Sequence, residues 1–119
     1  MTTKGGAMRY INNADYEEIR RVVQMYVDGC AQGDGDLMKP AFAESATINE
    51  VPIQTLFDDV TEAGPTDSVG RIDVLEVIGN IAVVRVILTS YHGGDYVDYH
   101  TLLKGEDGWK IMAKVFTEA

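Results

Sequence analysis

The sequence predicts an α+β domain in which one layer of helix packs on one curved antiparallel sheet. Three observations carry this. Asp15 to Gln32 places apolar residues at helical spacing along a single face. The C-terminal half holds long β-rich runs separated by Gly-containing turns. No repeat, linker or low-complexity tract divides the two regions.

In the first helix, Ile19, Val22, Val23, Tyr26 and Cys30 form one apolar stripe. Asp15 followed by Glu18 reads as a capping box that satisfies two orphan N–H donors. Gly33 tolerates the positive φ that ends such a helix. Asp34 caps a short second helix through Leu37, Met38, Ala41 and Phe42. Pro40 removes a hydrogen bond there unless it falls in the first turn, so this helix is kinked or starts late. Ala46 to Val51 reads as a strand closed by Pro52, and Thr55 to Val60 as a short helix. Thr61 to Ser68, with Gly64 and Pro65, reads as a loop.

The remainder is a four-strand meander. Arg71 to Ile78 and Ile81 to Tyr91 flank Gly79-Asn80, a pair suited to a type II′ hairpin turn. Gly93 to Asp95 makes the next turn, Tyr96 to Lys104 the third strand, and Trp109 to Thr117 the last. Residues 1–9 read as a loose leader without periodicity, and 10–119 as one domain.

The chain has 119 residues, 45% of them apolar and 24% charged, an ordinary globular balance that permits a real core. Its formal net charge is −9, with no basic patch, so nucleic acid is not an expected partner. No apolar run is long enough to cross a bilayer, and the N-terminus lacks a signal-peptide core, so a cytoplasmic location without membrane partners is expected. The single cysteine, Cys30, excludes an internal disulfide and reads as a buried structural thiol. No phosphate loop, dinucleotide fingerprint or serine elbow is present, and no cofactor is expected. With His92 and His100 the only histidines and no third fixed ligand, no metal site is expected either.

Three segments carry a family resemblance: YVDGCAQGD at Tyr26 to Asp34, PAFAESATI at Pro40 to Ile48, and YVDYHTLLKGEDGWKIMAKVF at Tyr96 to Phe116. They resemble the nuclear-transport-factor-two-like superfamily, and within it the group called "putative lumazine-binding". The last segment is the most specific. The resemblance implies a cystatin-like cone, a bent sheet under a long helix, with a pocket inside. Steroid isomerases and SnoaL-type polyketide cyclases share this fold, and use a carboxylate or histidine base facing hydrogen-bond donors. Aligned with the steroid isomerases, the catalytic tyrosine falls on Tyr26, with Gly33 and Asp34 following. The catalytic aspartate falls near Glu50, a departure, because Glu is longer and Val51 separates it from Pro52. The second acid falls near Tyr99 to Thr101, beside Asp98 and His100.

The residues themselves suggest roles. A carboxylate in an apolar cavity has its proton affinity raised by desolvation, which suits Glu50 as a base. Tyr26 lies on the apolar stripe and needs a hydroxyl partner if buried. Asp98 and His100 share one strand face and can form an acid–imidazole dyad; Tyr99, Thr101 and Leu103 share the other, and either face can point inward. On the last strand Trp109, Ile111, Ala113 and Val115 make an inward face, leaving Lys110, Met112, Lys114 and Phe116 as a face for homodimer formation. The expected pocket is apolar, bounded by Tyr26 and Phe42 with Trp109 at its margin, and takes an apolar or aromatic small molecule. Three functions follow: a small-molecule-binding protein; an isomerase, dehydratase or cyclase using Glu50 or His100 as base and Tyr26 as donor; or a dimerisation module with a filled cone.

Overall fold

A computed structural model describes residues 12–119, so the leader expected over 1–9 lies outside the described residues. Helix α1 spans Asn13–Gln32. Its N-cap is Asn12, whose side chain accepts from the Asp15 amide at 3.0 Å. The cap predicted at Asp15 therefore sits three residues earlier, and the Asp15 carboxylate is released for other work. The stripe Ile19, Val22, Val23, Tyr26, Val27 and Cys30 is buried. Each such aliphatic side chain contributes roughly 1.5–3 kcal/mol by leaving water. Gly33 ends the helix at φ 65, and a Cβ there would lie 2.2 Å from the carbonyl carbon of Gly64. Conformation and space both demand glycine.

Asp34 caps helix α2, Gly35–Met38, its carboxylate accepting from the Leu37 amide at 3.1 Å. A 3₁₀ turn, Lys39–Ala41, then absorbs Pro40 in its first turn. That stop moves Phe42 out of the helix and into strand β1, Phe42–Ile48. Strand β2 is Val51–Pro52, and helix α3 is Gln54–Ala63. Strands β3 (Val69–Ile78), β4 (Ile81–Tyr91), β5 (Gly94–Gly105) and β6 (Gly108–Glu118) follow. Gly79 has φ 57, the positive value the β3–β4 turn needs.

The six strands form one curved, unclosed sheet in the order β2-β1-β6-β5-β4-β3. Strand β1 runs parallel to β6 and every other pair is antiparallel, so the sheet is mixed. Helix α1 covers the concave face, where Ala82, Val84, Val86 and Leu88 of β4 alternate inward. Strand β3 is one edge, and Leu75 has no partner on β4, making a bulge within it.

A second bulge decides the inner surface. Thr101 pairs with Ala113 and Leu102 with Ile111, so Met112 is an extra residue in β6. Before it, Trp109 and Ile111 are buried; after it, the buried position is Lys114, and Val115 is 59% exposed. The inward face predicted for Trp109, Ile111, Ala113 and Val115 thus holds for its first half only. Lys114 and Phe116 turn into the concavity rather than onto the outer face.

Polar bonds fasten α1 to the β5–β6 hairpin. Asp15 Oδ1 accepts from Trp109 Nε1 at 3.0 Å and from Lys104 Nζ at 2.8 Å, while Glu18 Oε2 accepts from the Trp109 amide at 3.1 Å. Replacing Asp15 with Ala leaves the buried indole N–H without its acceptor, which costs about 1–3 kcal/mol. Asp15→Asn keeps an acceptor and should cost less. The bonds from Lys104 and Trp109 hold the Asp15 carboxyl below its ordinary value of 3.8. Its folded pKa being depressed, this stabilisation is present above the unfolded pKa and is lost as pH falls through the folded one. The gap in urea midpoint between wild type and Asp15→Ala should therefore narrow as pH falls below about 3.8, to the part an uncharged acceptor still supplies. A difference that persists unchanged in acid would remove the ionised carboxylate from this account.

Candidate functional site

Three elements bring ionisable side chains to the end of the concavity away from Trp109. Strand β5 presents Asp98 and His100 inward, 1% and 0% exposed, while Tyr99, Thr101 and Leu103 face out. The parity that the sequence left open is thereby fixed. Helix α1 supplies Tyr26 from the middle of its apolar stripe, and β6, past the bulge, supplies Lys114. Asn49, just past β1, holds that part of β6 like a further strand residue. Its Nδ2 donates to the Phe116 carbonyl at 3.2 Å, and its Oδ1 accepts from the Phe116 amide at 3.0 Å.

The centre is Asp98. Tyr26 Oη donates to Asp98 Oδ2 at 2.5 Å, a short bond of the charge-assisted kind. His100 Nε2 lies 3.6 Å from the same oxygen and Lys114 Nζ lies 3.7 Å from Oδ1, both beyond hydrogen-bond reach. Asp98 Oδ1 and both ring nitrogens of His100 are buried without a hydrogen-bond partner. Lys114 Nζ sits 3.9 Å from the Phe116 ring centroid and 5.5 Å from that of Tyr26.

Burial and charge act against one another here. Burial alone would raise the Asp98 carboxyl, but His100, Lys114 and Tyr26 outweigh it, and the net direction is down. Desolvation lowers Lys114 below the ordinary lysine range despite the facing carboxylate, and lowers His100 in the same way. Burial raises Tyr26 well above its usual value, so the phenol is neutral and donates. Burial also pushes the Cys30 thiol up to about 12, which makes it a poor nucleophile at neutral pH.

Beside these groups lies a cavity of about 190 Å³. Tyr26, Cys30, Ile48, Val60, Leu88, Asp98 and Lys114 line its inner part. The half-buried Tyr91, Tyr96 and Phe116 and the exposed Asp59 mark its mouth. The wall is therefore mostly apolar, with the Asp98 carboxylate and the Lys114 ammonium side by side in its inner part and a second carboxylate, Asp59, at the mouth.

The predicted residues separate into two groups. Tyr26, Asp98 and His100 come together, although His100 lies behind Asp98 and does not line the cavity. Glu50 does not join them. It is exposed in the two-residue turn between β1 and β2, where Asn49 and Glu50 have φ 42 and 78. The strand predicted to run through Glu50 stops at Ile48, and Glu50 does not line the cavity. Phe42 packs edge-on against Tyr26 at 6.2 Å between ring centroids but does not line the cavity. Trp109, committed to Asp15, does not line it either. Lys114 is the inner-wall residue that alternation misplaced, since only the unpaired Met112 turns it inward. Among the described residues no group of three His, Cys, Asp or Glu side chains is placed to hold a metal ion.

The family model described as "Putative lumazine-binding" matches residues 14–117. No curated protein matches the chain. Among solved structures, an NTF2-like protein of unknown function from Methylobacillus flagellatus KT superposes with TM-score 0.85 at 28% identity, covering 92% of this chain and 95% of its own. A second NTF2-like protein of unknown function, from Shewanella baltica OS155, gives TM-score 0.82 at 26% identity, covering 89% and 94%. A protein from Nostoc punctiforme PCC 73102 with a cystatin-like fold, at 20% identity and TM-score 0.75 over 91% of this chain and 79% of its own, shares the fold alone.

The network makes a stability prediction. Asp98→Asn leaves the buried Lys114 facing no countercharge and should cost about 3 kcal/mol. Adding Lys114→Met should return a substantial part of that loss, because both buried charges are then gone. Urea unfolding of the wild type, two single variants and the double variant measures this coupling. Strict additivity would mean that the two groups do not interact across their 3.7 Å separation.

Proposed function

The chain belongs to the "Putative lumazine-binding" family, and from that premise we propose that it is a small-molecule-binding protein whose pocket is the cavity beside Asp98 and Lys114. The observation that carries this reading is the unfilled, mostly apolar space next to polar groups without partners. Asp98 Oδ1 is buried and unbonded. Such a group carries a desolvation cost that a ligand donor would offset. The ligand is a small, largely apolar molecule, aromatic or aliphatic, with one polar edge. A volume of about 190 Å³ is close to the roughly 150 Å³ engineered cavity that accommodates benzene, and below the roughly 300 Å³ at which drug-sized pockets begin. A single ring with one or two polar substituents is the matching size.

The unfilled volume speaks against a dimerisation module with a packed cone. An isomerase, dehydratase or cyclase remains the second reading, favoured by the Tyr26–Asp98 bond. In that reading Asp98, which lines the cavity, takes the part of the base, and His100 supports it from behind. Pocket binding asks for less, because the Tyr26 hydroxyl is already given to Asp98.

The test is an NMR titration of the ¹⁵N-labelled protein with benzyl alcohol. Shifts should concentrate at Cys30, Ile48, Val60 and Leu88. Val60→Phe, which fills the space from α3, should weaken binding by roughly tenfold or more, the effect of about 1.4 kcal/mol. Shifts scattered over the surface, or full affinity in the filled variant, would exclude this pocket.

Homodimer formation through the outer sheet face forms part of the same proposal, on a different set of residues from those alternation suggested. Lys114 and Phe116 face inward. The outer face instead carries Ile81, Tyr99, Leu103 and Val115, exposed to 51%, 46%, 39% and 59%. Tyr99 pairs with Val115 across β5–β6, and Leu103 with Ile81 across β4–β5, so two exposed apolar pairs lie on this face either side of Thr101. Light scattering at micromolar concentration should give a dimer for the wild type and a monomer for Val115→Glu. A dimer that survives Val115→Glu would move the contact elsewhere.

A further inference from the structure

We propose that Lys114 captures a small aldehyde or ketone in the cavity as a Schiff base. The inference rests on the pocket reading and adds covalent chemistry to it. Lys114 is the one cationic side chain among the residues lining the cavity, and it is 4% exposed. The other lysines of the described residues are differently placed: Lys39 and Lys104 are exposed, and Lys110 donates to the Pro40 carbonyl at 2.7 Å. Lys104 is moreover tied to Asp15.

A lysine that attacks carbonyls needs three things: a free-amine fraction, a neighbouring group that moves protons, and room for the substrate. Apolar surroundings supply the first. Burial of the side chain weakens its hold on a proton, against the opposing pull of Asp98. Asp98 supplies the second, its unbonded Oδ1 lying 3.7 Å from Nζ, with the Tyr26 hydroxyl bonded to the other oxygen at 2.5 Å. The cavity supplies the third, with space for one ring beside the amine.

The step balances without an oxidant or a reductant. The amine lone pair attacks the carbonyl carbon; the C–N bond forms as the C=O π bond breaks. The proton lost from nitrogen passes to the oxygen through Asp98, giving a carbinolamine. Transfer of the remaining nitrogen proton to its hydroxyl, again relayed by the carboxylate, lets water leave as the nitrogen lone pair forms C=N. The products are one imine and one water. The polar pair that receives the ligand's edge therefore has an electrophile-specific role, and the ligand class is a single-ring or short-chain carbonyl compound.

Benzaldehyde with sodium cyanoborohydride tests this on the wild-type protein. Cyanoborohydride adds hydride to the protonated imine carbon and leaves a stable benzyl amine that peptide mapping locates. Lys114 should be benzylated at least roughly tenfold faster than Lys39, Lys104 or Lys110, a barrier difference of about 1.4 kcal/mol. Benzyl alcohol, equal in size but without a carbonyl, should slow labelling of Lys114 and leave the surface lysines unaffected. Lys114→Arg should remove the fast phase. The wild-type map decides the matter even if that variant does not fold. Should benzyl alcohol bind in the cavity while Lys114 is labelled no faster than the surface lysines, the Schiff-base inference fails and the pocket reading stands. Should benzyl alcohol neither bind nor protect, and Lys114 stay unlabelled, both fail.

Discussion

One unpaired residue, Met112, determines what the concave face of this molecule contains. A regular β6 would carry the parity of Trp109 and Ile111 to its end, placing Ala113 and Val115 under α1 and Lys114 and Phe116 on the outer surface. The extra residue reverses that choice halfway along the strand. Before the bulge the strand packs a hydrophobic core against the start of α1. Past it, the same strand offers an ammonium group and an aromatic ring to a cavity. The division of the cone into a filled end and an open end follows from that reversal. At the filled end, Asp15 and Glu18 bind Trp109 tightly to the helix; at the open end, Asn49 holds the reversed segment in place.

The open end is costly to build. A carboxylate, an ammonium and an imidazole are all withdrawn from water, yet only the Tyr26–Asp98 contact has hydrogen-bond length. A buried pair of this kind adds little net stability compared with apolar packing of the same volume. Leu, Met or Phe at these positions would fill the space at lower free energy. Such an arrangement beside a cavity supports the proposed binding site over a closely packed core.

Much of the architecture was legible in the sequence because it rests on local signals. The stripe from Ile19 to Cys30, the glycines at turns and the Asp34 cap each specify their own neighbourhood. What stayed hidden depends on pairing between distant segments. Asp15 and Glu18 have the spacing of a capping box, and nothing within α1 reveals that their acceptors are taken by Trp109 and Lys104, some ninety residues on. Glu50 looked like a strand residue because β-propensity does not register a two-residue turn whose members both adopt positive φ without glycine. Tyr26, Asp98 and His100 could be named as a set, whereas Lys114 could not. Its position depends on the register between β5 and β6, and the alternation of apolar residues carries no mark of a bulge when Ala113 and Val115 are as apolar as Trp109 and Ile111.

The edge of the sheet at β3 has a consequence for how this chain behaves among its own copies. An open ten-residue strand is a template on which another chain can extend the sheet. Here the bulge at Leu75 bends that edge, and Arg20 reaches across from α1 to donate to the Ile72 carbonyl at 3.1 Å, occupying a backbone acceptor that a foreign strand would need. The helix thus does more than cover the core: its solvent-facing arginine helps to keep the sheet finite at this edge.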